Sequence, residues 1–433
     1  MKRLLELRRE WYNAIRVGWF LAFRQLRRSS KGTTVLIVSI MVLTFLNLVV
    51  VSGLLVGLIQ GSFIAYKTSW TGDVVITPKS GHDYIENSPQ LISFIQNHSM
   101  VKKYAARLAA NGQVLGTVDD NPAKDQRANS VGTRVMGIDP EKEEDMTRFS
   151  RFLVAGNMLE PGEEGYILIG ANLIKEYSSF ADADIPGLDL LKDVKVGGKV
   201  RLTVTGNDGE TASKDLIVKG IVKSKVDEIS TRMFMLDSEL KRIVPVNKEQ
   251  YQSIAISVKD PTFSQQLVDQ LIAFQGNNAA LIQTAEDSIP SFLRDIATTF
   301  NILGNALSSI ALVVASITVF IVIFINAVTR RKFIGIMKGI GISPKAIQVS
   351  YIIQAFFYGV IGSLIGLVLT FGLLKPYFDA NPIDFPFSDG ILVATPIGSL
   401  IRVVILLVVT LLAGYLPAKL IVRRNTLDSI LGR

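Results

Sequence analysis

Residues 311–345 read ALVVASITVFIVIFINAVTRRKFIGIMKGIGISPK. Up to Val328 this stretch contains no charged residue, whereas from Thr329 onward it contains five basic residues and no acidic one. A helix of about 20 apolar residues crosses the ~30 Å hydrocarbon core of a bilayer. The stretch therefore predicts a membrane-spanning helix that ends in a short basic loop.

Four stretches of this apolar character occur in a chain of 433 residues that is 48% hydrophobic. One of them alone could be a buried core helix, but four together indicate a membrane protein. The predicted fold class is an α-helical membrane protein with four transmembrane helices plus a large mixed α/β extracytoplasmic domain inserted between helices 1 and 2. The predicted transmembrane helices are residues 32–60, 299–328, 347–374 and 395–418.

Basic residues are concentrated in three segments, 1–31, 329–346 and 419–433. Together these contain 18 Lys and Arg against three Asp and Glu, whereas residues 61–298 contain 26 against 32. Cytoplasmic loops of membrane proteins are enriched in Lys and Arg. We therefore expect a bacterial cytoplasmic (inner) membrane protein with both termini and the 329–346 loop in the cytoplasm. Residues 61–298 and the short 375–394 loop are then outside.

Residues 61–298 have the mixed pattern of an α/β domain. Two predicted helices, Pro89–Asn97 and Thr262–Phe274, flank a strand-rich middle. This order favours one subdomain formed by 73–118 with 251–290 and a second, 130–250, inserted between its parts; a single continuous fold is the alternative. The predicted strands are Val74–Thr77, Arg134–Ile138, Tyr166–Ile169, Val200–Thr205, Leu216–Val222 and Ile254–Val258, and the predicted loops are Thr117–Ser130 and Asp182–Gly198.

Residues 1–31 predict a cytoplasmic amphipathic helix in the membrane interface. Trp11, Tyr12 and Trp19 fall on an apolar side of this helix, and most of its arginines fall on the other side. Aromatic residues opposite a basic face are typical of helices that lie at the lipid headgroups. The alternative is an amphipathic helix that packs on a soluble partner.

Residues that could support catalysis or metal binding are scarce. The chain has no cysteine, only two histidines (His82 and His98), and no G-x-S-x-G or G-x-x-x-x-G-K-[ST] motif. We therefore predict no catalytic, cofactor-binding or metal-binding residue and no enzyme activity of this chain. Because the basic residues follow the membrane topology, we also predict no nucleic-acid partner.

The apolar segments exclude one class of transporter. The first three contain no Asp, Glu, Lys, Arg or His in their cores, and the only charged residue of the fourth is Arg402, near its outer end. Ion-coupled transporters bind their driving ion near the middle of the membrane. The energy for any transport must therefore come from elsewhere.

Two rows of glycines predict close helix packing. Small residues at every third or fourth position let another backbone approach closely, within one chain or in a dimer. The rows are Gly53, Gly57 and Gly61 in the first helix, and Gly359, Gly362 and Gly366 in the third.

The basic loop between the second and third helices contains an apolar face. Phe333, Ile336, Met337 and Ile340 lie at positions i, i+3, i+4 and i+7 of a short helix, and Ser343-Pro344 then starts the next helix. An apolar face in a cytoplasmic loop needs a partner. The residues alone leave two partners open, the lipid surface or another protein.

The loop resembles a motif of the FtsX-like/MacB-like permease superfamily of ABC transporters, the macrolide-exporter and lipoprotein-releasing type of transmembrane subunit. Further segments resemble the same family, whereas Phe333 stands where the family has an acidic residue. The matching residues are Arg330, Ile334-Gly335-Ile336, Ile340-Gly341, Val196–Val200, Gly359–Gly366 and Ala413–Ala418.

The resemblance implies that the loop is a coupling helix on a separate ABC-type ATP-binding subunit, which holds ATP and Mg²⁺. This chain would bind no cofactor, and its first two helices would form a dimer stalk, as a homodimer or a heterodimer with a related permease. A periplasmic adaptor or substrate protein and membrane lipids are further expected partners. The residues expected at the ATPase contact are Arg331, Lys332, Phe333, Ile336, Met337, Ile340 and Gly341.

The function that this resemblance implies is ATP-driven export, extraction or efflux at the outer face of the membrane. One alternative is an FtsX-like regulator that transmits force to a cell-wall hydrolase and transports nothing. Another is a membrane-anchored sensor or binding protein without an ATPase.

The charge asymmetry predicts which residues an impermeant thiol reagent reaches from outside. Because the chain has no cysteine, single variants can be compared directly. Lys124→Cys and Asp208→Cys should be labelled on intact cells or spheroplasts, whereas Lys338→Cys and Arg424→Cys should react only after the membrane is opened. Labelling of Lys338→Cys from outside would contradict the four-span topology.

Overall fold

The computed structural model describes residues 2–28, 31–116, 129–178, 181, 189–206, 210–244, 251–276, 280–385 and 388–422. Lys124, Asp208 and Arg424 lie outside these residues, as do parts of both predicted loops and most of the 419–433 segment. The chain divides into a helical unit (Met1–Ile59, Asp295–Ile383 and Gly390–Arg433) and an α/β unit (Gln60–Arg294 and Asp384–Asp389).

The described residues form α-helices and two β-sheets. The helices are α1 (Lys2–Arg27), α2 (Lys31–Thr71), α3 (Ser88–Asn97), α4 (Pro140–Thr147), α5 (Asp227–Ser230), α6 (Asp237–Ile243), α7 (Ser264–Gln275), α8 (Ser291–Thr329), α9 (Arg331–Gly339), α10 (Pro344–Ala380) and α11 (Pro396–Val422). The strands are β1 (Val74–Pro78), β2 (Val101–Leu115), β3 (Ser130–Ile138), β4 (Leu153–Gly156), β5 (Tyr166–Gly170), β6 (Lys199–Thr205), β7 (Thr211–Val222), β8 (Met233–Leu236), β9 (Ser253–Val258), β10 (Ala280–Thr284), β11 (Ile383–Phe385) and β12 (Ser388–Gly390).

Four helices of the described chain, α2, α8, α10 and α11, are long and apolar enough to cross a membrane. This confirms the prediction of four such helices. All four extend beyond their predicted bounds, most clearly α2, which reaches Thr71 rather than 60, α8, which begins at Ser291 rather than 299, and α10, which reaches Ala380 rather than 374. The predicted ends mark where apolar residues stop, but a helix satisfies its backbone hydrogen bonds internally and can continue among polar residues.

Helices α2 and α10 pack closely and run in the same direction. A Cβ atom added to Gly362 would lie 2.3 Å from the Cβ atom of Met41, and one added to Gly366 would lie 2.3 Å from the Cδ1 atom of Phe45. Residue numbers therefore rise together along both helices. This parallel arrangement is the one expected when two helices cross a membrane with one crossing between them.

Helix α11 runs against both of these helices. Gly359 of α10 faces Leu407, whereas Ala355 faces Gly414 further along α11. Arg402 donates a hydrogen bond to the Ser52 hydroxyl of α2 at 2.9 Å. The only charge in the fourth apolar segment is therefore hydrogen-bonded inside the helical unit.

Helix α1 packs along the first half of α10 through its small residues. Ala14 and Ala22 are buried, and a Cβ atom added to Gly18 would lie 2.7 Å from the Cγ1 atom of Val349. The predicted aromatic side of α1 is exposed, and Tyr12 exposes 68% of its surface. The amphipathic pattern predicted this side, but it did not show that small residues form the contact with α10.

In the α/β unit, the long strand β2 belongs to two sheet regions. Its first part, from Val101 to Arg107, pairs with β9, and its second part, from Leu108 to Leu115, pairs with β3 and β6. The strand order is β10-β1-β9-β2-β3-β8-β5-β7-β4, and β6 pairs with β2 and β7.

Apolar side chains of the α/β unit form separate cores on the two regions. One core joins β1, β9 and β10 to α3 and α7, and it includes Ile76, Leu91 and Leu267. The others lie among strands β3 to β8. The first core lies within the predicted subdomain 73–118 with 251–290, whereas the others combine residues of 130–250 with Leu108, Ala109 and Val114 of β2 and with Trp70. The status of the two subdomains as separate folding units stays a prediction.

A fully buried ion pair crosses the middle of the α/β unit. Arg107 of β2 donates from Nε and Nη2 to the two carboxylate oxygens of Glu143 in α4, at 2.9 and 2.6 Å. Its Nη1 atom donates to the Trp70 carbonyl oxygen at 2.7 Å, and its guanidinium carbon lies 4.0 Å from the centre of the Trp70 ring. Arg232 lies 5.0 Å from the same ring. The pair thereby joins β2, α4 and the last turn of α2.

Removing one partner of this pair should destabilise the α/β unit strongly. Glu143→Ala leaves the Arg107 charge buried without its carboxylate, which costs about 3–5 kcal/mol. The matched control is Asp145→Ala, because Asp145 pairs with Lys103 at the surface and such pairs contribute about 1 kcal/mol or less. Thermal unfolding of the purified full chain in detergent measures both. Equal losses in the two variants would contradict the buried-pair argument.

Candidate coupling surface

Helix α9 ends in a turn that the local sequence specifies. The N–H groups of Gly341 and Ile342 donate to the carbonyl oxygens of Lys338 and Met337, at 3.0 and 2.9 Å. Gly341 has a φ of 93°, which favours glycine because it has no Cβ atom. The two hydrogen bonds form a Schellman cap that closes α9 and turns the chain toward α10.

The first turn of α10 follows immediately. The Ser343 hydroxyl accepts a hydrogen bond from the Ala346 N–H at 3.2 Å, and Pro344 occupies the first helical position. Serine at the cap and proline in the first turn are a standard start of a helix. The prediction that Ser343-Pro344 starts this helix agrees with the described chain.

Helix α9 has one face in the helical unit and one face open. Ile334 is 1% exposed and joins the apolar core of the helical unit, where Met337 also packs. On the open face, Phe333, Ile336 and Ile340 expose 67%, 51% and 73% of their surfaces. We call these three residues, together with the exposed Lys332 beside them, the coupling surface.

The predicted contact residues therefore divide between two roles. Phe333, Ile336 and Ile340 lie together on the open face, whereas Met337 is partly buried against the helical unit. Gly341 forms the cap, and Arg331 is half-buried. Ile334, which holds α9 on the helical unit, was not predicted as a separate anchor, although apolar residues at 334 and 337 indicated a second apolar side. That this surface binds an ATPase stays a prediction.

The surroundings of the coupling surface are positively charged. Residues 329–346 contain five basic residues and no acidic one. Burial lowers the pKa of Lys338, and the Lys345 ammonium lies 5.9 Å from the centre of the Trp11 ring of α1. An apolar row among cations favours a partner that offers an apolar groove with acidic residues at its edge.

The predicted glycine rows are occupied by contacts inside the chain. In the helical unit, a Cβ atom added to Gly57 would lie 1.8 Å from the Ile391 carbonyl oxygen, and Gly53 accepts a hydrogen bond from the Val393 N–H at 3.1 Å. In the α/β unit, a Cβ atom added to Gly61 would lie 2.5 Å from the Ser388 hydroxyl. Gly359, Gly362 and Gly366 form the helix contacts described above. A dimer through these rows stays a prediction.

The described residues also bear on metal binding. Among them, no group of three or more His, Asp and Glu side chains is arranged to hold a metal ion.

Comparison with known proteins identifies the class of the helical unit. Residues 305–426 match the family model described as FtsX-like permease C-terminal. This range begins inside α8 and contains the coupling surface and the two following membrane helices.

Two curated relatives extend the match. The chain is 23% identical over 288 residues to the macrolide export ATP-binding/permease protein MacB 2 of Yersinia pestis bv. Antiqua (strain Antiqua), covering 63% of this chain and 41% of that protein. It is 21% identical over 212 residues to the macrolide export ATP-binding/permease protein MacB of Pasteurella multocida (strain Pm70), covering 47% of this chain and 31% of that protein. The chain thus spans less than half the length of these relatives.

Two solved structures each align with about half of the chain. The periplasmic region of MacB from Actinobacillus actinomycetemcomitans aligns with a TM-score of 0.35 at 13% identity, covering 53% of this chain and 96% of that one. The extracellular domain of the noncanonic ABC-type transporter YknZ from Gram-positive bacteria aligns with a TM-score of 0.31 at 11% identity, covering 49% of this chain and 98% of that one.

Residues 305–426 therefore define an ABC-type permease domain in a multi-pass membrane protein. The resemblance to the FtsX-like and MacB-like permeases that was stated from the motifs is confirmed by the family match of these residues and by the MacB relatives.

The contact at Gly57 predicts a sensitive position in the first membrane helix. Gly57→Ala places a methyl group against the Ile391 carbonyl, and overpacking of this kind costs about 1–3 kcal/mol. Gly372→Ala is the matched control, because no atom lies within 4 Å of the added Cβ position in α10. We expect a lower unfolding temperature in detergent for Gly57→Ala only. Equal unfolding temperatures for the two variants would show that the Ile391 carbonyl is not in close contact with Gly57, or that it moves aside at little cost.

Proposed function

We propose that this chain is the transmembrane (permease) subunit of an ABC transporter. In this proposal, motion driven by ATP in a cytoplasmic ATPase reaches an extracytoplasmic α/β domain and drives export, extraction or efflux. The observation that carries the proposal is the coupling surface, an exposed apolar row on a short helix between two membrane helices of a permease family.

Exposure of the coupling surface to water is unfavourable in free energy, because its side chains are apolar. Complete burial of an apolar side chain of this size contributes about 1.5–3 kcal/mol. Phe333, Ile336 and Ile340 together therefore provide enough free energy for a stable contact, once the costs of association are subtracted. The shape favours a groove on a protein over a flat lipid surface, because the row is narrow and α9 is short.

In this proposal, ATP is bound and hydrolysed by an ATPase that is not part of the given sequence. Residues 305–426 match a permease family, and the sequence contains no phosphate-binding G-x-x-x-x-G-K-[ST] motif. The names of the matched relatives combine ATP-binding and permease parts, and this chain spans 41% of one of them. ATP and Mg²⁺ would then be bound by the ATPase partner.

The proposed orientation has both termini in the cytoplasm. The excess of basic residues in 1–31, 329–346 and 419–433 supports it. Strands β1 to β10 of the α/β unit, which lie between α2 and α8 in the chain, would then be extracytoplasmic.

An acidic residue on the coupling surface should release the ATPase. In the bound state, Ile336→Asp buries a carboxylate without a partner, which costs several kcal/mol and lowers affinity by more than about tenfold. Ile336→Leu should retain the ATPase. Co-purification of an ABC-type ATP-binding subunit with each variant is the measurement. Position 336 is preferable to 337, because Met337 also packs inside the helical unit.

Two further variants control for folding and for the lipid alternative. Val154→Asp changes an exposed apolar residue of the α/β unit, 48% exposed, and should leave the ATPase bound. Phe333→Asp should repeat the result of Ile336→Asp. If both α9 variants retain the ATPase at the wild-type level, the surface contacts lipid and the proposal is wrong.

A further inference from the structure

Arg402 is a charged residue within an apolar membrane helix. It lies six residues after Pro396, where α11 begins, and the next charged residue of α11 is Lys419. A charged side chain in an apolar helix is costly unless another group compensates its charge, and such residues mark binding or transport sites. The partner of Arg402 therefore bears on the function of this helix.

The membrane helices packed around Arg402 supply no counter-ion. Neither α2 nor α11 contains an Asp or a Glu, and α10, which packs against both, contains only Asp379. Asp379 pairs with Lys375 of the same helix, at 3.0 Å. In the part of the chain that the structure describes, Arg402 forms no ion pair, and its one side-chain hydrogen bond goes to the neutral Ser52 hydroxyl. A guanidinium has five N–H donors, so the described residues leave most of them unused.

The guanidinium of Arg402 lies beside an open notch in the first turn of α11. A Cβ atom added to Gly398 would lie 3.4 Å from Nη1 of Arg402 and 2.7 Å from Oγ1 of Thr395. No atom of another described helix lies within 4 Å of that point. Gly398 precedes Arg402 by four residues, or about 6 Å along the helix axis, so the Arg402 side chain runs back toward the start of α11. We call Thr395, Gly398 and Arg402 the Gly398 notch.

The hydroxyl groups at the Gly398 notch suit an anion. Oγ1 of Thr395 accepts a hydrogen bond from the Gly398 N–H at 3.1 Å, and within the described chain this hydroxyl donates none. Ser399, the next residue, is fully buried, and its hydroxyl has no hydrogen-bond partner among the described residues. A guanidinium can bind two oxygens of one phosphate at once. A cation with neighbouring hydroxyl donors and no carboxylate therefore fits a phosphate group.

Exposed apolar side chains flank the notch on α11. Ile397 and Ile401 expose 76% and 55% of their surfaces, and Leu400 and Val404 are also exposed. The apolar span Pro396–Leu420 has 25 residues, or about 37 Å against a hydrocarbon core of ~30 Å. Its first turn therefore lies at the boundary of the core, where lipid phosphates are found and acyl chains begin. Both parts of a phospholipid meet matching groups of α11 there.

We propose that the Gly398 notch binds the phosphate group of a phospholipid of the outer leaflet. Arg402 donates to the phosphate oxygens, the Thr395 hydroxyl donates a further hydrogen bond, and the acyl chains lie along Ile401 and Val404. Because Arg402 is also hydrogen-bonded to Ser52 of α2, the bound phosphate helps to hold α11 against α2. The inference rests on the proposed membrane orientation, which places the first turn of α11 at the outer face, but not on the ATPase partner.

Native mass spectrometry of the purified full-length chain in detergent counts bound lipids directly. The probe is phosphatidylglycerol, and diacylglycerol with the same acyl chains tests the chains without the phosphate. We expect Arg402→Gln to bind phosphatidylglycerol about tenfold more weakly than the wild type, because it loses the hydrogen bonds of a charged group. Gly398→Ala keeps the charge but fills the notch, and it should also weaken binding.

Lys375→Gln is the matched control for the loss of a positive charge. Lys375 lies in the last part of α10 and already has Asp379 as its partner, so this variant should bind phosphatidylglycerol like the wild type. Diacylglycerol should bind equally weakly to all four proteins. Thermal unfolding of each variant shows whether it is folded, and if Arg402→Gln is not, Gly398→Ala decides.

The outcomes separate a lipid phosphate from other ligands of the notch. Equal affinity of the wild type and both notch variants for phosphatidylglycerol would overturn the proposal. Binding of diacylglycerol as tight as that of phosphatidylglycerol would overturn it too, because the acyl chains alone then account for the contact. Inorganic phosphate at the same concentration should not displace the lipid, and displacement would assign the notch to free phosphate instead. No ATPase is present in this assay, so a failure rejects the lipid site and leaves the permease proposal to its own test.

Discussion

Close approach of helix backbones is the constraint on which the helical unit depends. Lipid tails are as apolar as the side chains, so membrane helices gain little from the hydrophobic effect when they associate and rely on tight packing instead. Gly362 and Gly366 provide it for α2 and α10, because each leaves the space that Met41 or Phe45 fills. Helix α10 in turn contacts α1 through Val349 and α11 through Gly359. One helix therefore sets the positions of three others.

The same helix packing also fixes the position of the coupling surface. Its helix, α9, is joined to α10 by the Gly341 cap and the Ser343 cap, and Ile334 anchors it in the core that also contains Met41 and Phe45. A displacement of α9 cannot be absorbed by a loose loop, because no long flexible segment separates α9 from α8 or α10. In the proposed function, this direct connection lets a movement of the ATPase reach the membrane helices.

The sequence predicted those features whose signal is local. Four apolar segments, the strand at Val74 and the Ser343-Pro344 helix start depend on neighbouring residues, and they appear as expected. Features that depend on distant contacts were not predictable. The glycine spacing predicted that the backbone at Gly57 is closely approached by another segment, but not that this segment contains Ile391. The sequence also did not show that Met337 packs against the helical unit. Its position falls on the same broad arc of the helix as Phe333, Ile336 and Ile340, which lie on the open face.

Two exposed apolar surfaces of the helical unit, the aromatic side of α1 and the coupling surface, have different surroundings, and these distinguish the partners they fit. The aromatic side of α1 lies next to arginines such as Arg16 and Arg24, a combination that suits the lipid headgroup region. The coupling surface is short and lies among cations, which suits a groove on an acidic protein. Because the two surfaces differ in length and charge, they fit different partners.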